Sequence, residues 1–342
     1  MDENKLQAAI IKEERIGPEK VMLSLTDACN LGCKFCWRLA KKNRASNELN
    51  ITEIKNVLKD CKKLGVKTID CTGGGEPFFR KDIFNVLKLV KDYVVEATLT
   101  TNGTLLTEAD AKKLIDLKLD DICFSLESHD KKINDSIRGS GVFDKVVKSI
   151  KLLNKLKQQY GSKLPKVRLA TVITKANYME LDKLVDFAAD LSIEAINFST
   201  LIEWNTNKPL WLRKENPKKI KKSLEKAQEK ILTRKINSNL SSLLEHGLFE
   251  HNPPKFCFAP WSMIFINADG DAMVCCTLAS LYQNPVGNVK KQSLQEIWFG
   301  PKMNEFRKKI KAGEFSKDCK RCIPEFTDNY NQLYEKMKTS CD

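Results

Sequence analysis

No stretch of these 342 residues approaches the roughly 18 consecutive apolar residues that a membrane-crossing helix needs. The start of the chain, Met1 to Gly17, is charged and lacks the apolar core of a secretion signal. Both absences point to the cytoplasm, where thiols stay reduced. The twelve cysteines therefore read as metal ligands or catalytic groups and not as a disulfide scaffold. An aromatic platform or nucleic-acid-binding motif is also missing from the basic segments, so nucleic acid is not the expected partner. Length allows two domains, or one large α/β domain with an appendage. An apolar content of 42% is enough for a real core.

Acidic residues are the scarcer charge: 44 Asp and Glu against 58 Lys and Arg, a net +14. About half of the excess sits between Trp211 and Lys235, with ten basic and three acidic residues. A basic surface speeds encounter with acidic partners. A flavodoxin- or ferredoxin-type reductant, an acidic peptide or a phosphorylated sugar would qualify. So would no partner at all, since charge runs are often solvated helix faces.

Apolar periodicity alternates between strand and helix. Strands are expected at Val21–Thr26, Val66–Cys71, Val94–Thr101, Asp121–Leu126, Lys166–Thr174 and Glu194–Thr200, with helices between them. Asn50 and Glu53 have the spacing of a capping box ahead of the first helix. Alternating strands and helices predict βαβ units and a parallel sheet. Six such units are too few for the closed eight-stranded barrel.

The first strand leads into Cys29-Asn30-Leu31-Gly32-Cys33-Lys34-Phe35-Cys36. Three thiols in eight residues can wrap one face of a small inorganic cluster. Structural zinc and cubane iron–sulfur sites usually have four protein ligands, and no fourth cysteine is near. An iron left open for another molecule is one reading. Unrelated thiols, or half of a zinc site, are the others. Ligands of parallel α/β sheets bind at the carboxyl ends of strands. There the sequence places Thr72-Gly73-Gly74-Gly75-Glu76-Pro77, Thr100-Thr101-Asn102-Gly103-Thr104 and Phe124-Ser125-Leu126-Glu127, followed by Ile137-Arg138-Gly139.

Together these motifs resemble the radical S-adenosylmethionine (SAM) superfamily, whose signature is C-x3-C-x-aromatic-C. The resemblance implies a partial (βα)6 TIM-like barrel. Cys29, Cys33 and Cys36 would carry a [4Fe–4S] cluster whose open iron takes SAM. Phe35, Gly74, Gly75, Glu76, Asn102, Ser125 and Arg138 would contact SAM, with Glu76 at its amino group and Arg138 at its carboxylate. Glu127 stands where the family often has Asp.

A second cysteine series begins at Cys257. Twelve residues separate it from Gly270, four more lead to Cys275, and Cys319 and Cys322 form a C-x2-C. This pattern resembles the SPASM/Twitch extension of the same superfamily, a small domain with a β-hairpin and helix. It implies an auxiliary [4Fe–4S] cluster on Cys257, Cys275, Cys319 and Cys322. A zinc knuckle on the same residues is the alternative. Cys276 adjoins Cys275, and neighbouring strand residues face opposite ways, so one of the pair would ligate. Too few cysteines follow Cys322 for a second auxiliary cluster, which fits the Twitch form.

The expected organisation is an extension over 1–19, the barrel over 20–201, a basic helical bridge over 202–254, the auxiliary domain over 255–325 and a tail over 326–342. The expected activity is reductive cleavage of SAM, hydrogen abstraction from a small polar or sugar-like molecule or a peptide side chain, and passage of an electron to the auxiliary cluster. Glu203 is a candidate general base. Redox-neutral epimerisation would instead need a hydrogen donor, for which Cys71 or Cys123 could serve. With about 20 residues ahead of the first strand, no leader-peptide-binding domain is expected there. An iron–sulfur electron carrier and a zinc-bound nucleic-acid module are the non-enzymatic alternatives.

Overall fold

The computed structural model describes residues 3–40, 47–203, 205–246, 248, 256–281, 284–316 and 319. Among them lie ten strands: β1 Lys20–Leu23, β2 Thr68–Cys71, β3 Glu96–Thr101, β4 Asp121–Ser125, β5 Lys166–Ile173, β6 Ala195–Thr200, β7 Asn237–Ser238, β8 Met263–Ile266, β9 Asp271–Met273 and β10 Gly287–Asn288. The chain divides into two compact units, one of residues 1–28, 44–98 and 251–342, the other of 29–43 and 99–250. β3 begins in the first and ends in the second.

In the first unit the strand order is β10-β9-β8-β1-β2. β1 and β2 run parallel, Val21 opposite Ile69. The crossover between them is helix Ile51–Leu64, and its start is as the sequence expected. The Asn50 side chain accepts from the Thr52 and Glu53 amides while Glu53 accepts from the Asn50 amide. Gly65 ends the helix at φ 73°, a left-handed cap that suits glycine. Ile54, Val57, Leu58 and Cys61 recur on one face and are buried.

Two features of this unit go beyond the sequence expectation. The hairpin β8–β9 is there, turning through Asn267–Gly270, but β8 also pairs parallel with β1, Val21 opposite Ile264. Its four residues, Met-Ile-Phe-Ile, are all buried, as a strand with both faces covered requires. The second is helix Glu3–Ile11, whose Leu6, Ala9 and Ile10 form a core cluster with Phe256, Phe258, Trp261 and Ile310.

The second unit carries parallel strands in the order β4-β5-β6-β7. Helices Val142–Gln159 and Leu181–Asp190 form the crossovers into β5 and β6. The basic stretch becomes helix Pro217–Arg234, capped by Asn216. It is amphipathic: Ile220, Leu224, Ala227 and Ile231 are buried, while Lys218, Lys219, Lys222 and Lys226 are exposed. It feeds β7, parallel to β6 with Ala195 opposite Asn237. The stretch expected as a bridge thus repeats the strand–helix–strand rhythm once more. Among the described residues no helix is long and apolar enough to cross a membrane.

Candidate active site

The three-cysteine loop belongs to the second unit and is held by side chains from strand ends and a helix end. On one flank, Asn102 follows β3. Its Oδ1 accepts from the Thr104 amide and hydroxyl at 2.9 and 2.7 Å, and its Nδ2 donates to Asn30 Oδ1 at 2.9 Å. The same Nδ2 lies 3.9 Å from the Cys29 sulfur. Asn30 donates to the Thr104 hydroxyl, which closes a small network. The Leu31 amide donates to the Cys29 sulfur at 3.5 Å.

Arg138 governs the other flank. It is the last residue of helix Lys131–Arg138, before Gly139, whose φ of 122° turns the chain away. The Lys34 amide donates to the Ile137 carbonyl at 2.9 Å, fixing the loop to the helix end. Arg138 Nη1 sits 3.9 Å from the Cys33 sulfur, and its guanidinium lies 5.2 Å from the centre of the Phe35 ring. Nε and Nη2 both donate to Glu127 Oε1. Burial pushes the Cys33 thiol up to about 11, with the Arg138 charge pulling against it. Burial likewise raises Cys36. Ser125, which ends β4, is half-buried opposite Ala170.

Glu127 is the most fully engaged side chain beside the loop. It is wholly buried and held at every polar atom. Its amide donates to Asn134, its carbonyl accepts from Asn177, and Oε2 accepts from the Val172 amide at 2.6 Å. It stands 11 positions before Arg138 in the chain, so no local sequence pattern announces their pairing.

The glycine turn belongs to the first unit. Gly75 donates to the Thr26 carbonyl, and the Glu76 amide to the Ala28 carbonyl at 2.8 Å. A Cβ on Gly75 would stand 1.8 Å from the Ala28 oxygen, and one on Gly74, at φ 62°, 2.1 Å from Ser24 Oγ. Only hydrogen fits at either position. Ala28 directly precedes Cys29, so the glycine turn fixes the chain just where the cysteine loop departs. The Glu76 carboxylate is buried and accepts from the Phe78 amide at 3.2 Å.

In the same unit Cys257, Cys275 and Cys319 line one cavity with Val274, Leu278 and Phe315. Cys276 is not on that wall, although it is close enough to add to the rise of Cys257, which burial pushes up to about 12. Cys322 lies outside the described residues. Among the described residues no three His, Cys, Asp or Glu side chains converge on a point where a lone ion could sit. Clusters of several irons need sulfurs spread around them. Both thiol sets fit such a group: the ligand atoms are all sulfur, N–H groups of Leu31, Asn102 and Arg138 point at two sulfurs of the Cys29–Cys36 loop, and the C-terminal cavity is apolar.

The remaining candidates lie apart in character. Cys71 ends β2 fully buried on the apolar face it shares with Ile69, and burial raises its thiol strongly. Cys123 is opposite Arg168 and on the same face of β4 as Ser125. Glu203 forms an ion pair with Arg213, whose Nε donates to it at 3.0 Å.

Comparison with known families matches residues 23–188 to the radical SAM superfamily and residues 257–323 to the iron–sulfur cluster-binding domain SPASM. A probable GTP 3',8-cyclase of Sulfurisphaera tokodaii is 30% identical over 262 residues, which span 75% of this chain and 80% of that protein. An AdoMet-dependent heme synthase of Methanosarcina barkeri is 24% identical, spanning 89% of this chain and 91% of that protein. Among solved structures, Streptococcus suis SuiB bound to S-adenosylmethionine superposes with a TM-score of 0.71 at 22% identity, covering 88% of this chain and 71% of that one.

Proposed function

Because the chain belongs to the radical SAM superfamily and carries a SPASM domain, we propose that it oxidises an unactivated C–H bond of a polar small molecule. The enzyme class, SAM, the SAM-binding [4Fe–4S] cluster and an auxiliary iron–sulfur site come with that membership. When bound, these groups supply an electron to the SAM sulfonium, a 5'-deoxyadenosyl radical that takes a hydrogen atom from the substrate, and a sink for the electron left behind.

The rest is the work of this chain's residues. Cys29, Cys33 and Cys36 would hold the open cluster, with Asn102 and Arg138 donating toward two of their sulfurs. The backbone of Gly74 and Gly75 and the oriented carboxylate of Glu76 suit the SAM amino group. Ser125 suits its polar tail, while the three guanidinium nitrogens of Arg138 face Glu127 and Cys33. Cys257, Cys275 and Cys319, with Cys322 as fourth, would hold the auxiliary cluster. An all-thiolate closed site has no position for substrate, which leaves electron transfer as its use.

The observation that carries the oxidative reading is the apolar cavity that gathers three thiols from Cys257, Cys275 and Cys319. The substrate is taken to be polar and small because the relative from Sulfurisphaera tokodaii is named for a nucleotide. A flavodoxin- or ferredoxin-type protein would deliver the first electron, with the lysine face of helix Pro217–Arg234 as its acidic partner's landing site. Glu203, engaged by Arg213, has no part in this reading.

The test is anaerobic turnover with SAM, dithionite and, in parallel, GTP, an aminocyclitol and a synthetic peptide. One polar small molecule should stimulate 5'-deoxyadenosine formation and give a product that has lost a pair of hydrogens. Stimulation by the peptide alone would overturn the substrate class. A product of unchanged mass favours the second reading, redox-neutral epimerisation, which Cys123 supports by sharing a strand face with Ser125. In that case Cys123→Ala should stop product formation while 5'-deoxyadenosine still appears.

A further inference from the structure

Arg138 ends a helix in the second unit with its guanidinium buried, and a buried guanidinium needs its charge answered. Glu127 answers it and is itself immobile. Four separate groups bind that residue: the Asn134 side chain, the Asn177 side chain, the Val172 amide and the guanidinium. Only the last of these is Arg138. Glu127 is therefore the fixed post, and Arg138 is the arm mounted on it. Its Nε and Nη2 are both committed to one carboxylate oxygen, so the plane of the guanidinium is set. With the plane set, Nη1 has one direction, and 3.9 Å along it stands the Cys33 sulfur.

We propose that Glu127 is a positioning residue for the SAM-binding cluster: through Arg138 it holds a cationic hydrogen-bond donor on the Cys33 sulfur and so raises the cluster's reduction potential. The proposal rests on the reading that Cys29, Cys33 and Cys36 carry that cluster. One-electron reduction by an external donor adds one negative charge to the cluster. Hydrogen bonds to cluster sulfurs stabilise that added charge and are among the recognised determinants of potential. A family-typical Asp at position 127 would be one methylene shorter and could not span the same gap to Arg138. The exchange that weakens Glu127 as a SAM contact is what suits it to this task.

Breaking one partner alone would leave an uncompensated buried charge, so the test replaces both. The double variant Glu127→Gln/Arg138→Met changes no net charge, and the carboxamide oxygen it places at position 127 still accepts from the Val172 amide. The readout is the midpoint potential of the SAM-binding cluster in a dithionite titration followed by electron paramagnetic resonance, that cluster being identified by its spectral change on adding SAM. The expected result is a fully loaded cluster whose reduction is at least tenfold less favourable, a fall of about 59 mV for one electron. The auxiliary cluster's potential should stay where it was. A loaded double variant with the wild-type potential overturns the proposal. If the double variant fails to fold, Arg138→Lys takes its place: an ammonium can serve Glu127 or Cys33 but has no planar fork to serve both. A smaller fall is expected there, and an unchanged potential again overturns the proposal. Wild-type protein that binds no cluster on Cys29, Cys33 and Cys36 would instead defeat the reading on which the proposal rests.

Discussion

Gly75 has room for a hydrogen and nothing larger, since any Cβ would overlap the Ala28 carbonyl oxygen. Gly75→Ala must push Ala28 and the cysteine loop after it, and overpacking of this kind costs about 1–3 kcal/mol. Urea denaturation should register that loss, and SAM affinity measured by calorimetry should fall with it. Two cysteines outside both cluster sites govern a different property. Cys61 and Cys71 are fully buried, and burial raises both thiols well above the ordinary range. The unfolded chain gives up these protons near pH 8.5, while the folded chain keeps them. Their contribution is therefore complete below about pH 8.5 and declines as pH rises, by about 1.4 kcal/mol per pH unit for each thiol. The urea midpoint should drop between pH 8 and pH 10, and Cys61→Val should make the drop shallower. A midpoint with the same pH slope in both proteins would show that burial of Cys61 is not the cause. At this scale the two cysteine series were legible in the sequence, because fixed spacing is a local property. The sequence hid the Glu127–Arg138 pair, which exists only once a strand end and a helix end meet.

Elements were legible where periodicity ran long. The helix at Ile51–Leu64 and the strands β1 to β6 stand within a few residues of where apolar spacing puts them. Two elements and one pairing escaped, each for a physical reason. Helix Glu3–Ile11 is nine residues long, too short to be stable alone, and it exists because Phe258 and Trp261 cover it. The hairpin that holds β8 was expected, but the pairing of β8 with β1 joins segments far apart in the chain and leaves no local pattern. β7 is two residues and relies on β6. Helix Pro217–Arg234 shows both sides of the argument, since its basic composition masked a regular buried stripe. Leu224→Ala in that stripe should cost about 2–5 kcal/mol, read as a lower thermal midpoint. Exchanging Lys218, Lys219 and Lys222 for glutamate on the other face should leave that midpoint nearly unchanged. It should slow turnover supported by a flavodoxin, most clearly at low salt, and leave dithionite-supported turnover as it was. Equal rates with flavodoxin before and after the exchange would remove this helix as the reductant's landing site.

For the whole molecule, the C-terminal cysteine segment is joined to the beginning of the chain. β8 hydrogen-bonds along β1, the Trp298 indole donates to the Ile16 carbonyl, and the Leu294 amide donates to Asp60. Deleting residues 251–342 would strip one edge of β1 and uncover Leu6 and Ile10. The truncated chain should be degraded rapidly in limited proteolysis under conditions where the full chain survives. Within this unit β1 pairs with β8, the first strand of the hairpin that precedes Cys275.

The most direct test of the account is chemical. Reconstituted anaerobically, the full chain should bind about eight irons, as two [4Fe–4S] clusters require, and with SAM and dithionite it should release 5'-deoxyadenosine and methionine. Cys33→Ala should abolish both products while leaving the auxiliary iron in place. A preparation with both clusters present that yields no 5'-deoxyadenosine from SAM would contradict the account.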